Sequence, residues 1–135
     1  MRRSVVLLAL ALMSCGKTLD ELSKDQRKVD WAAANVYPAD YRRELIAYLR
    51  TYLNDPTGIR EAAISEPALK PIGVGDRYVV CVRFNPKRSG GGYAGPKDHL
   101  VIYAGGKLER YLETAGESCK DVAYAAFPEL EALTR

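Results

Sequence analysis

The chain has 135 residues, of which 47% are hydrophobic and 27% charged, so a packed core is within reach and a disordered or collagen-like chain is excluded. The 20 Lys and Arg stand against 17 Asp and Glu, and a net charge of +3 supplies neither the basic field that nucleic acid needs nor an acidic tail. This length fits one small domain with a tail and not a multi-domain enzyme.

Arg2 and Arg3 precede an apolar run from Val5 to Met13, followed by Ser14 and Cys15. A cationic end, a short apolar stretch and a small residue before a cut make the layout of an export signal. The run is too short to span a bilayer, which takes roughly 20 apolar residues in a helix. Leu12-Met13-Ser14-Cys15 resembles the lipobox of bacterial lipoproteins, with Met13 departing from the usual Ala, Ser, Thr or Val. The resemblance implies that residues 1–14 are a signal peptide, that Cys15 carries acyl chains such as palmitate, and that Gly16 in place of Asp sends the protein to the outer membrane of a Gram-negative envelope. Several chains at about 0.8 kcal/mol per buried methylene give durable anchoring. Loss of Arg2 and Arg3 leaves the rest nearly neutral. Lys17, Lys24, Arg27 and Lys28 are diluted by Asp20, Glu21, Asp25 and Asp30, so electrostatic binding to anionic lipid is not expected. The competing reading is an ordinary secreted protein with a free Cys at its start.

Residues 15–36 read as the lipidated Cys and a polar spacer, in which Thr18-Leu19-Asp20-Glu21 forms a capping box opening a modest helix. Trp31 and Val36 either belong to that spacer or dock on the domain. Residues 37–135 form a single α+β domain. Its clearest helix carries Tyr41, Leu45, Tyr48, Leu49, Tyr52 and Leu53 on one stripe, with Pro38 in the first turn and Asn54-Asp55-Pro56 as the stop. We read the tyrosines as a core face in preference to a ligand platform.

Ile59 to Glu66 reads as a strand with Ala62 and Ile64 on one face, ended by Pro67 and the Pro71-Ile72-Gly73 stretch. Tyr78 to Phe84 is the strongest strand: Tyr78, Val80, Val82 and Phe84 face one way and Val79, Cys81 and Arg83 the other, so a central position is expected. Leu100 to Ala104 and Lys107 to Leu112 flank Gly105-Gly106, whose freedom at positive φ suits a two-residue hairpin. Val122 to Leu133 has a broken helical pattern that Pro128 limits to a short helix beginning there or to two pieces. The expected fold is one main amphipathic helix packed on a three- or four-stranded antiparallel sheet, with a short C-terminal helix.

With Cys15 assigned to lipid, Cys81 and Cys119 remain, and an even pair in an exported chain implies one disulfide. It would pin the segment after Glu117 onto the sheet and restrict the unfolded chain by roughly 3–4 kcal/mol. A catalytic thiol lacks a partner, since His99 is the only histidine.

Residues 86–96 join the central strand to the next and are longer than a hairpin requires. Gly90, Gly92 and Gly95 match G-x-G-x-x-G, but a strand and not a helix follows, so the dinucleotide reading fails. The loop offers exposed backbone, two cations and a tyrosine, and Lys87, Arg88, Gly91, Gly92 and Tyr93 are the candidate partner-binding residues. The bland alternative is a plain connector. No cofactor or metal is expected, because one histidine and no CxxC motif leave no ligand set. His99 beside Asp98 reads as a strand-edge or turn residue, Glu61, Glu66 and Glu109 as solvent faces, and no G-x-S-x-G elbow is present.

Tyr37-Pro38, Tyr48-Leu49-Arg50, Asn54-Asp55-Pro56, Val79-Val80-Cys81-Val82-Arg83 and Gly91-Gly92-Tyr93-Ala94-Gly95-Pro96 resemble small exported lipoproteins of alphaproteobacteria whose role is uncharacterised. That resemblance spans residues 37–112 and implies no catalytic residue. The expectation is a lipid-anchored, non-catalytic module on the periplasmic face of the outer membrane, binding a protein or peptidoglycan partner through the Gly-rich loop, with no nucleic acid involved. The alternatives are a periplasmic hydrolase, which would gather His99, a carboxylate and a hydroxyl in one pocket, and a small-ligand carrier using a cavity between helix and sheet.

Overall fold

A computed structural model describes residues 18–21, 23–24, 35–73 and 75–135. The expected signal peptide at 1–14, Cys15 and Trp31 lie outside the described residues. Within the spacer the capping box forms: the Thr18 N–H donates to Glu21 Oε2 and the Glu21 N–H to Thr18 Oγ1, both at 3.3 Å.

Helix α1 spans Tyr41–Tyr52. Tyr41, Leu45 and Leu49 are buried at the four-residue spacing that puts them on one side of a helix. Six strands follow: β1 (Arg60–Ile64), β2 (Ala68–Ile72), β3 (Gly75–Asn85), β4 (Lys97–Ala104), β5 (Lys107–Leu112) and β6 (Ala125–Ala126). The four-residue helix α2, Pro128–Glu131, ends the series, with Pro128 in its first turn. All pairings are antiparallel, in the order β5-β4-β3-β1-β6, and β2 joins the same edge of β3 as β1. The eleven residues of β3 are long enough to serve both. Val82 pairs with Ile64 in β1, while Val79 pairs with Ala68 in β2.

The expectation of one main helix on three or four strands is therefore overturned: the domain is mostly sheet, with six strands and a single helix longer than one turn or two among the described residues. Two strands were hidden by their composition. Pro71 reads as a strand breaker, but β2 pairs only with β3, and an outer edge does not need the N–H that proline lacks. β6 contributes only Ala125 and Ala126, too short for any alternation to register. β1 is shorter than expected and carries a bulge at Glu61, where φ is +55° and the register with β3 slips by one residue. Gly105 and Gly106 turn the β4–β5 hairpin with φ of +57° and +76°.

The core has two layers. On one face of the sheet Val80, Val82, Phe84, Val101 and Tyr103 meet α1, Phe127, Leu130 and Leu133. The Tyr103 hydroxyl is buried there and donates to the Tyr41 carbonyl oxygen at 2.9 Å. Glu44 ties the helix to the hairpin, accepting the Leu108 N–H at 2.7 Å and pairing with Lys107 at 3.2 Å. On the other face Val79, Cys81, Leu100 and Ile102 lie under the segment that follows β5. The Cys81–Cys119 disulfide, spanning 38 residues, fastens that segment to the sheet. Alongside it, Arg83 holds Asp98 through two hydrogen bonds of 2.6 and 3.1 Å and lies over the Tyr124 ring at 4.3 Å.

Candidate binding cleft

The Gly-rich segment folds into a braced turn. Lys87 and Tyr93 form an isolated antiparallel bridge, the Arg88 N–H donates to the Gly92 carbonyl oxygen at 3.0 Å, and the Gly91 N–H donates back to that of Arg88 at 3.0 Å. Gly91 and Gly92 take φ of +87° and +76°, which their lack of a Cβ makes inexpensive. The Tyr93 hydroxyl donates to the Gly58 carbonyl oxygen at 2.5 Å, and the Arg60 guanidinium sits 4.0 Å above its ring. Gly58 takes a φ of +65°, which favours glycine, and a Cβ there would come within 2.5 Å of Lys87 Cε and push that side chain aside. Asn85, buried at the end of β3, accepts the Gly95 N–H at 3.1 Å and donates to Glu61 at 3.4 Å, holding the exit of the turn to the β1 bulge.

Between this turn and the end of α1 lies a cleft of about 290 Å³. Its aromatic lining comes from Phe84 on β3, His99 on β4, Tyr111 on β5 and Tyr52 on α1. The first three stand on the same face of neighbouring strands and stack in a row. Phe84 and His99 have centroids 4.7 Å apart at 17° between planes, and His99 and Tyr111 are 5.4 Å apart at 21°. Tyr48 and Tyr52 extend the cluster beyond Tyr111 at 5.2 and 5.1 Å. Lys87, Arg88 and Lys97 add three exposed cations to the lining, and Glu113 adds one carboxylate, which accepts a hydrogen bond from the Tyr52 hydroxyl. Beyond Pro86-Lys87-Arg88 a more polar depression of about 390 Å³ contains Asp55 and Arg135. The Asp55 carboxyl is held below its ordinary range by the Thr57 hydroxyl and N–H, with Arg135 and Lys87 adding to the effect.

His99 is 9% exposed and sits inside β4, not at a strand edge or turn. Burial pushes its imidazole pKa below the ordinary value and Lys97 pushes it further, against weaker pulls from Glu113 and Asp98. The neutral ring is thus the resting form. His99 Nδ1 and the Tyr111 hydroxyl are buried without hydrogen-bond partners among the described residues. Burial raises the Tyr111 phenol far above its usual value, and the nearby Tyr52 and Glu113 reinforce this.

Among the described residues His99 Nδ1 has no orienting partner, and the one carboxylate lining the cleft, that of Glu113, is engaged by Tyr52. Among the described residues no three His, Cys, Asp or Glu side chains form a group able to hold a metal ion. No described helix is long and apolar enough to cross a membrane.

Of the sequence-derived candidates, Lys87 and Arg88 line both depressions, Tyr93 braces the turn from behind, and Gly91 and Gly92 form its tip. Cys81 and Cys119 are bonded on the opposite face. The ring row of Phe84, His99 and Tyr111 was missed as a site because three strands supply it. The available signal was the alternation of His99 with Val101 and Tyr103, which puts the imidazole on the helix-covered face. Comparison of the chain with protein-family models, curated proteins and solved structures returns no match.

Proposed function

We propose that this chain is a lipid-anchored, non-catalytic module of a bacterial envelope, held at the periplasmic face of the outer membrane through Cys15, and that it binds a protein or cell-wall partner at the cleft beside the Gly-rich turn. The observation that carries the reading is the bracing of that turn: a connector has no use for the Tyr93–Gly58, Arg60–Tyr93 and Asn85–Gly95 contacts, whereas a recognition surface needs its cations held in place. The cleft volume, about 290 Å³, lies at the small end of ligand sites and suits one ring-bearing group of a larger partner. The lipobox-like residues 12–15 supply the anchor.

Photo-crosslinking in cells tests the binding site. A crosslinker replacing Arg88 is expected to capture a discrete partner, and one replacing the exposed Leu69 on β2 is not. Equal capture from both positions rejects the cleft as the site. A metabolic fatty-acid label tests the anchor: it should mark the wild type and be absent from Cys15→Ser, and equal labelling of the two rejects lipidation there.

An envelope hydrolase is the second reading, favoured by His99, Glu113 and two tyrosine hydroxyls sharing one cleft. It requires His99→Ala to abolish turnover of wall material while leaving partner capture intact. A small-ligand carrier would use the same cleft, and would retain a ligand through purification without any macromolecular partner.

A further inference from the structure

We infer that the group admitted to the cleft is a ring bearing a carboxylate; this rests on the cleft being the binding site. Three observations converge on an acid. First, the rings of Phe84, His99 and Tyr111 are stacked face to face, so their faces are spent on one another. What such a row offers to an entering group is its hydrogen-bearing edges, the positive end of the ring quadrupole. Second, Lys87, Arg88 and Lys97 outnumber the single carboxylate of Glu113 in the lining, leaving the cleft cationic. Cations at the mouth of an apolar-walled cleft concentrate an anion there. Third, the exposed Tyr52 in the wall of that same cleft already donates its hydroxyl to a carboxylate, that of Glu113.

The carboxylate already present shows what such a guest would do. Glu113, exposed just past the end of β5, accepts a hydrogen bond from the hydroxyl of Tyr52 at the end of α1 and thereby bridges the two sides of the cleft. An incoming carboxylate competes with Glu113 for the same donor, so Glu113 acts as an occupant displaced on binding. The cations then neutralise the newcomer, and its ring lies along the apolar wall of Phe84 and Leu53. An uncharged ring lacks the first part of this exchange and a cationic ring is repelled.

Calorimetric titration of the full chain, purified in detergent, separates the outcomes. The probes are benzoate against benzamide and glucuronate against glucose, so that the two arms also decide between an aryl and a sugar acid. The acid is expected to bind about tenfold more tightly than its neutral counterpart in at least one arm. Glu113→Gln, which keeps an acceptor for Tyr52 but removes the competing charge, should tighten the acid about threefold. Arg88→Gln with Lys97→Gln should remove the preference for the acid. Equal binding of acid and neutral probe overturns the inference while leaving the cleft as a ring site. Unchanged or weaker binding in a folded Glu113→Gln also overturns it. Absence of binding by all four probes overturns it too, and partner capture from position 88 then decides separately whether the cleft is the site.

Discussion

Ser65 completes a ladder pair with Cys81 by using its side chain. Its N–H donates to the Cys81 carbonyl oxygen at 2.9 Å, and its Oγ accepts the Cys81 N–H at 2.8 Å. β1 ends at Ile64 and β2 begins at Ala68, so the edge of β3 would otherwise carry an unpaired donor in the middle of the sheet. Ser65 is buried, so removing its hydroxyl leaves the Cys81 N–H away from bulk water. Ser65→Ala should therefore cost about 1–3 kcal/mol, the penalty of orphaning a buried backbone N–H. In urea unfolding the midpoint should fall with no change in slope. A midpoint equal to wild type would contradict this role.

The disulfide stabilises the fold by another route. Cys81 and Cys119 close a loop of 38 residues, and opening it should cost about 4 kcal/mol through the added freedom of the unfolded chain. Denaturation with and without reductant measures this. The bond also holds down the segment over Val79, Leu100 and Ile102. Trypsin cleavage after the exposed Lys120 should accordingly be slow in the oxidised protein and fast after reduction. Equal rates would show that packing alone keeps the segment in place.

Stability should fall at both ends of the pH range for opposite reasons. On the acid side, the folded pKa of His99 lies below its ordinary 6.5, so the unfolded chain takes up the proton first and stability declines as pH falls below about 6.5. Asp98, lowered chiefly by the Arg83 hydrogen bond, adds a second decline as pH falls below its ordinary 3.8. On the alkaline side, burial raises the Tyr103 and Tyr111 phenols and pushes Tyr124 up to about 12. These groups ionise first in the unfolded chain, so their contribution is complete below about pH 10 and is lost as pH rises beyond it. Urea midpoints across the range should form a plateau between these limits. His99→Phe should extend the plateau on the acid side, and no change in the decline below pH 6.5 would remove His99 as its source.

The sequence carries its information where a pattern is local. Alternation in Tyr78 to Phe84 gives both faces of β3, Gly105-Gly106 gives the hairpin, and Pro128 fixes the start of α2. The cysteine count gives the disulfide pairing. What is illegible is what the rest of the molecule supplies. Pro71 can stand in a strand only because β2 lies on an outer edge, and Ala125-Ala126 becomes a strand only because β1 leaves a free edge for it. The main error in fold, too few strands, has this single origin. The cleft was missed for the same reason. His99 and Tyr111 share the β4–β5 hairpin, but Phe84 and Tyr52 are brought to them by the β3–β4 register and by helix docking, neither of which is a property of any short segment.

Helix α1 and strand β5 are fastened to each other at both ends: Glu44 grips Lys107 and Leu108 where β5 begins, and Tyr52 grips Glu113 just past where it finishes. Two beams clamped at both ends act as a stiff frame. The gap beside them is therefore of set width before anything enters, so little freedom is lost when it fills. The two fastenings differ in kind: the Glu44 end is independent of any guest, whereas the Tyr52–Glu113 end opens when another carboxylate takes the place of Glu113, so the frame keeps one fixed end as the gap fills.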